Sequence, residues 1–162
     1  TPSYCSILVE FDIVKHTHES LKQIILKKCS DSVGLASANI KPNKLITIPT
    51  DYSQNLDLKR VAQHNQLSIE EVINIHSQTT YRVYAIGFMV GFAYLAKVDQ
   101  HITTPRLESP RKKVPKGSVA IADHQTAIYP QDSAGGWNVI GHTEFDGFEE
   151  FEVGDRVRFV KI

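Results

Sequence analysis

Cysteine is nearly absent from this 162-residue chain, which holds only Cys5 and Cys29. They make no Cys-x-x-Cys pair, and two idle thiols in a reducing cytosol are expected rather than a disulfide. Net charge is absent as well, because 18 Lys and Arg offset 18 Asp and Glu. That balance excludes a broad charge field, so neither a nucleic acid nor a membrane surface is expected as a partner. No apolar run reaches the ~18 residues of a membrane span. The opening TPSYCSILVEFD lacks the charged and apolar regions of a secretion signal. A soluble, cytoplasmic protein is the expectation. Glycine is scarce in the first half: of the nine, only Gly34 precedes position 87. The shift predicts a helical section followed by a turn-rich β section.

Hydrophobic residues make up 41% of the chain, enough to bury one real core. SILVEFD (6–12) reads as a strand, and HTHESLKQIILKKC (16–29) as a helix that Thr17 is placed to cap. The stretch GLASANIKPNK (34–44) reads as loop and LITIP (45–49) as a short strand. LDLKRVAQHNQ (56–66) carries Leu58, Val61 and Ala62 on one helical face. In SIEEVINIHSQ (68–78), Ser68 and Glu71 have capping-box spacing ahead of an Ile69, Val72, Ile73, His76 stripe. From Tyr81 the period changes to two. YRVYAIGF, GSVAIA, QTAIYP, WNVIGHT and DRVRFVKI read as short strands, with Asp123-His124 near a hairpin turn. Many short strands around one core predict a barrel or a curled sheet.

One stretch resists a plain core reading. SPRKKVPKGSVAIADHQTAIYP (109–130) packs three prolines and four cations into one stretch with a hairpin. Arg106 and Arg111 each follow a proline, which presents a side chain at reduced entropic cost, and a guanidinium fork suits carboxylate or phosphate. The stretch is expected to line a groove for an anionic ligand or a protein chain, with Lys112, Lys113 and Lys116 solvated beside it. GFMVGFAYL (87–95) lacks the GxxxxGK[ST] spacing of a phosphate loop; its glycines predict a bend over Phe88, Phe92, Tyr94 and Leu95 as core. Gly135 and Gly136 precede Trp137, the only tryptophan, which serves either as pocket floor or as core. The seven histidines form no metal-like cluster; His76 reads as a satisfied core residue, while His124 and His142 are placed to act as acid, base or donor. Ser118 lacks a nucleophile-elbow context. Asp146, Glu149, Glu150, Glu152 and Asp155 read as a solvated rim. From the residues alone no catalytic set emerges.

Four ordered blocks carry a family likeness: YRVYAIGFMVGFAYL, TPRLESPRKKVPKGSVAIADHQTAIYP, GGWNVIGHT and VGDRVRFVKI. Together they resemble the family of KipI-type kinase inhibitors, the B subunit of 5-oxoprolinase, and the first subunit of allophanate hydrolase. The same module forms the first half of a carboxyltransferase domain. The resemblance runs from ITIPTDY to the last residue and implies a mainly β protein: a cyclophilin-like β-barrel with helices over 48–162. A partial α/β N-terminal domain over 1–47 precedes it, reduced to a closing strand and helix. Carried over by position, the pattern points to Arg106, Arg111, Thr126, Tyr129, Gly135, Gly136, Trp137 and Gly141 as substrate- or partner-binding residues. Gln125 and His142 are the hydrogen-bonding candidates for catalysis. No metal is implied. Two positions depart from the family: Val90 stands where proline is usual, and Asp123-His124 where paired glycines are usual.

The resemblance implies a non-autonomous subunit of ATP-dependent 5-oxoprolinase, which opens 5-oxo-L-proline to L-glutamate. It would act with a second cyclophilin-like subunit, of the KipA type, and a larger third one. ATP would enter through the assembled complex, with none bound by this chain alone. Two alternatives are an inhibitor that grips a sensor histidine kinase, and a carboxyltransferase-type subunit acting on urea or allophanate, with biotin supplied by another chain.

Overall fold

The computed structural model describes residues 6–32 and 43–162, which divide into two compact units between Asn43 and Lys44. Cys5, Gly34 and most of the loop expected over 34–44 lie outside the described residues. The division falls ahead of the expected 47/48 boundary for a simple reason. The first strand, β1 (Leu45–Thr50), pairs along its whole length with the last, β9 (Arg156–Lys161), so it belongs to the second unit.

In the first unit the helix α1 runs His18–Ser32. The Ser20 N–H donates to Thr17 Oγ1 at 3.2 Å and the Thr17 N–H to Ser20 Oγ at 3.0 Å, so Thr17 caps the helix as its position predicts. Cys29 is exposed and free. The strand expected over 6–12 does not form. Only Ile7 has bridge geometry, and Ile7, Leu8 and Val9 are exposed.

The second unit is a nearly closed, barrel-like sheet with two helices. Its strands in chain order after β1 are β2 (Thr80–Ile86), β3 (Ala93–Ala96), β4 (Arg111–Val114), β5 (Ser118–Ala122), β6 (Gln125–Ile128), β7 (Ser133–Gly135) and β8 (Asn138–His142), before β9. The main sheet has the order β1-β9-β2-β3-β6-β5-β8. Its outer members meet at one point, where Asp51 and His142 exchange N–H···O bonds of 2.8 and 2.9 Å. β4 and β7 form a separate two-stranded ribbon. No alternation in RKKV predicts a strand; β4 exists because Arg111 pairs with Gly135 and Val114 with Ser133.

The helices α2 (Leu58–His64) and α3 (Ile69–Gln78) plug the barrel with Leu58, Val61, Val72 and Ile73. α3 begins with the predicted capping box: the Glu71 N–H donates to Ser68 Oγ at 3.2 Å, and the Ser68 N–H to Glu71 Oε2 at 2.7 Å. Strand β5 is buried at every position, which a one-sided sheet does not produce. Val119 and Ile121 face the barrel interior, whereas Ala120 and Ala122 join a second cluster with Phe92, Val114, Tyr129 and Trp137. That second cluster positions the candidate site.

His76 ends the apolar stripe of α3 and is fully buried. Its Nδ1 accepts from the Tyr52 hydroxyl at 2.7 Å, and its Nε2 stands 3.0 Å from Thr126 Oγ1. The Thr126 hydroxyl donates to the Ala120 carbonyl at 2.9 Å, so Nε2–H is the donor to Thr126. Every ring nitrogen is satisfied by the neutral form. Burial therefore pulls the His76 pKa from 6.5 to about 3, and the same burial raises Tyr52 and Tyr81 well above the usual phenol range.

An unfolded histidine takes its proton near pH 6.5, whereas His76 in the folded chain waits until about pH 3. Stability from this group is complete above pH ~6.5 and falls by about 1.4 kcal/mol per pH unit below it. Urea denaturation of the wild type and His76→Phe should show the difference: the wild type loses roughly 2 kcal/mol more between pH 6.5 and 5. Equal slopes for the two proteins would refute this account of His76.

Candidate functional site

The second cluster lies on the outside of the barrel beneath the β4–β7 ribbon. Phe92 sits at its centre, edge-on to Tyr94, Tyr129 and Trp137 at centroid distances of 4.9, 5.5 and 5.7 Å. Such T-shaped contacts place the positive edge of one ring on the negative face of the next and add to the value of the burial. Above this floor a groove of about 270 Å³ opens. One wall is Phe88, 66% exposed at the tip of the β2–β3 hairpin. Pro110, Ala134, Gly135 and Gly136 of the ribbon form the other wall.

Arg106 stands at the mouth with its guanidinium carbon 5.7 Å from the Trp137 ring centroid. The adjacent Leu107 N–H donates to the Gly136 carbonyl at 2.8 Å, which ties the Arg106 segment to the ribbon. Arg106 is exposed and makes no ion pair among the described residues. A cation held over an aromatic face with its fork free is chemically suited to a carboxylate or phosphate oxygen.

Gly135 is required by close approach, not by backbone conformation. A Cβ there would run into the Tyr129 hydroxyl, whereas one at Gly136 would meet Pro110 Cγ at an ordinary 3.6 Å. Burial raises the Tyr129 pKa, against the opposing influence of the Trp137 backbone amide and of Arg106 and Arg111. The hydroxyl therefore stays protonated beside the groove at neutral pH.

Arg111 is placed differently from Arg106. Its two terminal nitrogens donate to Asp57 Oδ2 at 2.9 Å and Oδ1 at 2.6 Å. Asp57, whose side chain is only 6% exposed, also accepts from the Val139 N–H at 2.7 Å. Arg111 is thus the clasp between the ribbon and the start of α2, and its carboxylate partner is already inside the protein.

The remaining candidates are not gathered by the groove. Thr126 is fully buried in the His76 network. Gln125 opens β6 beside the Asp123-His124 turn, about 13 Å along the strand from Tyr129. Gly141 packs at the seam, where a Cβ would meet Thr50 Cγ2 at 3.0 Å. His142 closes the barrel there; it contacts the Lys116 carbonyl at 3.2 Å, stands 3.5 Å from Glu144, and lines concavities with Gln54 and Thr143. The structure therefore joins Arg106, Tyr129, Gly135, Gly136 and Trp137, with Arg111 immediately behind them. The expected catalytic pair, Gln125 and His142, stands apart from this groove and from each other.

Sequence reasoning passed over Phe88 and Asp57. Phe88 was expected in the core with Phe92, Tyr94 and Leu95; Phe92 and Leu95 are buried, Tyr94 is half-buried, and Phe88 stands out in solvent. The flanking Gly87 and Gly91 were the available signal, since a tight hairpin puts its tip outside, here with φ of 70° at Phe88 and 78° at Gly91. Asp57 had a signal too, as an acid directly before an amphipathic helix. It makes no side-chain cap bond and serves Arg111 instead.

The chain matches the carboxyltransferase domain, subdomain C and D, over residues 1–154 and belongs to the family of carboxyltransferase-domain proteins that includes the 5-oxoprolinase B subunits. It is 36% identical to the 5-oxoprolinase B subunit of Bacillus subtilis, with 99% of this chain and 74% of that protein covered. It is 41% identical to the protein of the same name in Haemophilus influenzae, over 71% of this chain and 58% of that protein. The chain thus spans only part of the length of these relatives. A conserved uncharacterized protein of Pyrococcus horikoshii superposes with a TM-score of 0.69 at 40% identity, covering 94% of this chain and 72% of that one. The Kluyveromyces lactis urea carboxylase, at 16% identity and a TM-score of 0.66 over 94% of this chain and 17% of its own, shares the fold alone.

Two substitutions test the construction of the groove. Asp57→Ala leaves the Arg111 fork and the Val139 N–H without their acceptor and should cost about 3 kcal/mol in urea denaturation. Gly135→Ala should displace Tyr129, and the Trp137 fluorescence maximum should shift in the folded protein; Gly136→Ala should leave both stability and emission unchanged. Equal behaviour of the two glycine variants would contradict the close approach.

Proposed function

We propose that this chain is the B-type subunit of an ATP-dependent 5-oxoprolinase, which opens the lactam of 5-oxo-L-proline to L-glutamate. The observation that carries the reading is 36–41% identity to proteins named as the B subunit of 5-oxoprolinase. A lettered subunit also implies a complex. The second cyclophilin-like subunit and a larger third one are the proposed partners, and ATP is assigned to that assembly because no nucleotide-binding motif occurs in this sequence. Helix α1 would belong to the smaller α/β domain of such a protein.

The groove is suited to this substrate class. 5-Oxoproline carries a carboxylate on a compact ring with an apolar flank. Arg106 supplies a free guanidinium at the mouth, and Phe92, Tyr94 and Trp137 supply an aromatic floor. In this reading Arg106 holds the carboxylate and the ring lies on the aromatics, which orients the lactam for groups brought by the other subunits. Arg111 acts through the ribbon it anchors, as a positioning residue. Gln125 and His142 lie on two separate surfaces away from the groove and take no part in this reading.

One feature favours protein binding at the same place: Phe88 and Val90 are 66% and 79% exposed at the hairpin tip beside the groove. That would serve a histidine-kinase inhibitor as well as a contact between subunits. The likeness to the Kluyveromyces lactis urea carboxylase is one of fold and carries no carboxyl-transfer argument.

Reconstitution with the two partner subunits decides the matter. The wild type should give 5-oxoproline-dependent ATP hydrolysis. Arg106→Ala should raise the KM for 5-oxoproline by about tenfold or more, in line with about 1.5–3 kcal/mol for a charged hydrogen bond. Inhibition of a sensor kinase by the isolated chain, with no turnover in the reconstituted complex, would support the inhibitor instead.

A further inference from the structure

The barrel wall formed by β1, β9 and β2 turns one face to the core and the other to solvent. Alternation makes the assignment simple: Ile48, Val157, Phe159, Tyr81 and Val83 are buried, and their neighbours point out. The register then sets the outward residues in rows. Leu45 lies beside Arg156, and Arg156 opposite Arg82; Thr47 lies beside Arg158, and Arg158 opposite Thr80; Pro49 lies beside Val160. Tyr84 and Ile86 extend the Arg82 column. No carboxylate occupies any outward position on the three strands.

This arrangement is costly for the chain by itself. Directly opposed residues in an antiparallel pair are about 5 Å apart, and like charges there repel. Arg82 and Arg156 are such a pair, and Arg158 follows Arg156 by two residues, about 6.5 Å along the same face. All three are exposed. None makes an ion pair among the described residues, and Arg82 has only the Tyr84 ring, 6.0 Å away. Some exposed cations elsewhere do meet acids, as Lys113 meets Asp132 and Lys161 meets Glu70, so three unmatched guanidiniums on one face stand out for their proximity to one another. Around the three guanidiniums stand Leu45, Tyr84, Ile86 and Val160, each between 37 and 59% exposed.

We propose that this face is a docking surface for an acidic patch on a partner protein, with the Arg82–Arg156–Arg158 triad receiving two or more carboxylates. The charge complementarity calls for an anion, and the apolar and aromatic surround is that of a protein interface, in which arginine and tyrosine are enriched. A surface that reads polyphosphate would carry basic residues throughout rather than Leu45, Ile86 and Val160 between them. In the complex proposed above, the partner is the second cyclophilin-like protein; that identification rests on the 5-oxoprolinase reading, but the anion-binding face does not.

Two probes separate the inference from that reading. In the first, titration calorimetry at 50 and 300 mM NaCl uses a poly-L-glutamate of about 15 residues with the whole chain. The wild type should bind at low salt and weaken at high salt. Arg82→Glu/Arg156→Glu should lose binding at both, Arg82→Lys/Arg156→Lys should retain it in part, and matching urea midpoints should show the variants folded. In the second, the purified cyclophilin-like partner replaces the peptide, and the charge-reversed variant should bind at least about tenfold more weakly than the wild type. Unchanged affinity of that variant for the partner overturns the docking face while leaving the 5-oxoprolinase reading intact. Binding of poly-L-glutamate through the arginines, with no wild-type affinity for the partner, upholds the face and removes the reading. No poly-L-glutamate binding by the wild type overturns the face, as does arginine-dependent binding only to phosphatidylserine vesicles.

Discussion

The exposed groove depends on a buried carboxylate. Asp57 precedes α2, takes both terminal nitrogens of Arg111 from β4, and accepts the Val139 amide from β8. Three segments far apart in sequence are thereby pinned to one small anion. A bidentate guanidinium fixes direction as well as distance, so the β4–β7 ribbon is held at a set height over Phe92, Tyr129 and Trp137. Without that clasp the ribbon would be held by Val114 in the cluster, the contact of Gly135 with Tyr129 and the single Leu107–Gly136 bond, since its two short strands pair only with each other.

This constraint also divides the labour of two similar arginines. Both follow proline, and both lie near the Tyr129 hydroxyl. Arg111 has met its acid inside the fold. Arg106 has met only an indole face, and a cation–π contact leaves the in-plane N–H donors free. The free guanidinium at the groove mouth is therefore that of Arg106, while Arg111 anchors the ribbon. The outer face of β1, β9 and β2 repeats the logic at a larger scale. There again guanidiniums stand without an internal acid, which is the ground of the proposal that a partner supplies one.

Much of the architecture was legible. The Ser68–Glu71 spacing, the Val72, Ile73, His76 stripe and the alternating runs that became β1, β2, β5, β6, β8 and β9 stand where periodicity and capping chemistry place them. Buried alternation is a local signal, and these segments express it strongly. The segment 6–12 alternates as well, yet the only bridge residue in it is Ile7. β4 and β7 show the converse: RKKV and SAG carry no pattern, and pairing alone makes them strands. The departure at Asp123-His124 has a plain physical reading. Asp123 holds φ of 50°, a conformation that glycine adopts freely and aspartate tolerates in tight turns.

The sequence by itself determined the kinds of element, the apolar faces, the residues able to bear chemistry and the family, because these follow from composition, period and ordered motif blocks. It did not determine which of those residues share a surface. Thr126 turned inward to a buried histidine, Gly141 and His142 went to the seam, and Gln125 to a distant turn, while Arg106, Tyr129, Gly135, Gly136 and Trp137 came together. The reason is strand register and ribbon docking. In a barrel a residue's neighbours are set by pairings between segments dozens of positions apart, and a shift of one residue would exchange the inner for the outer face. Only the folded chain holds that information.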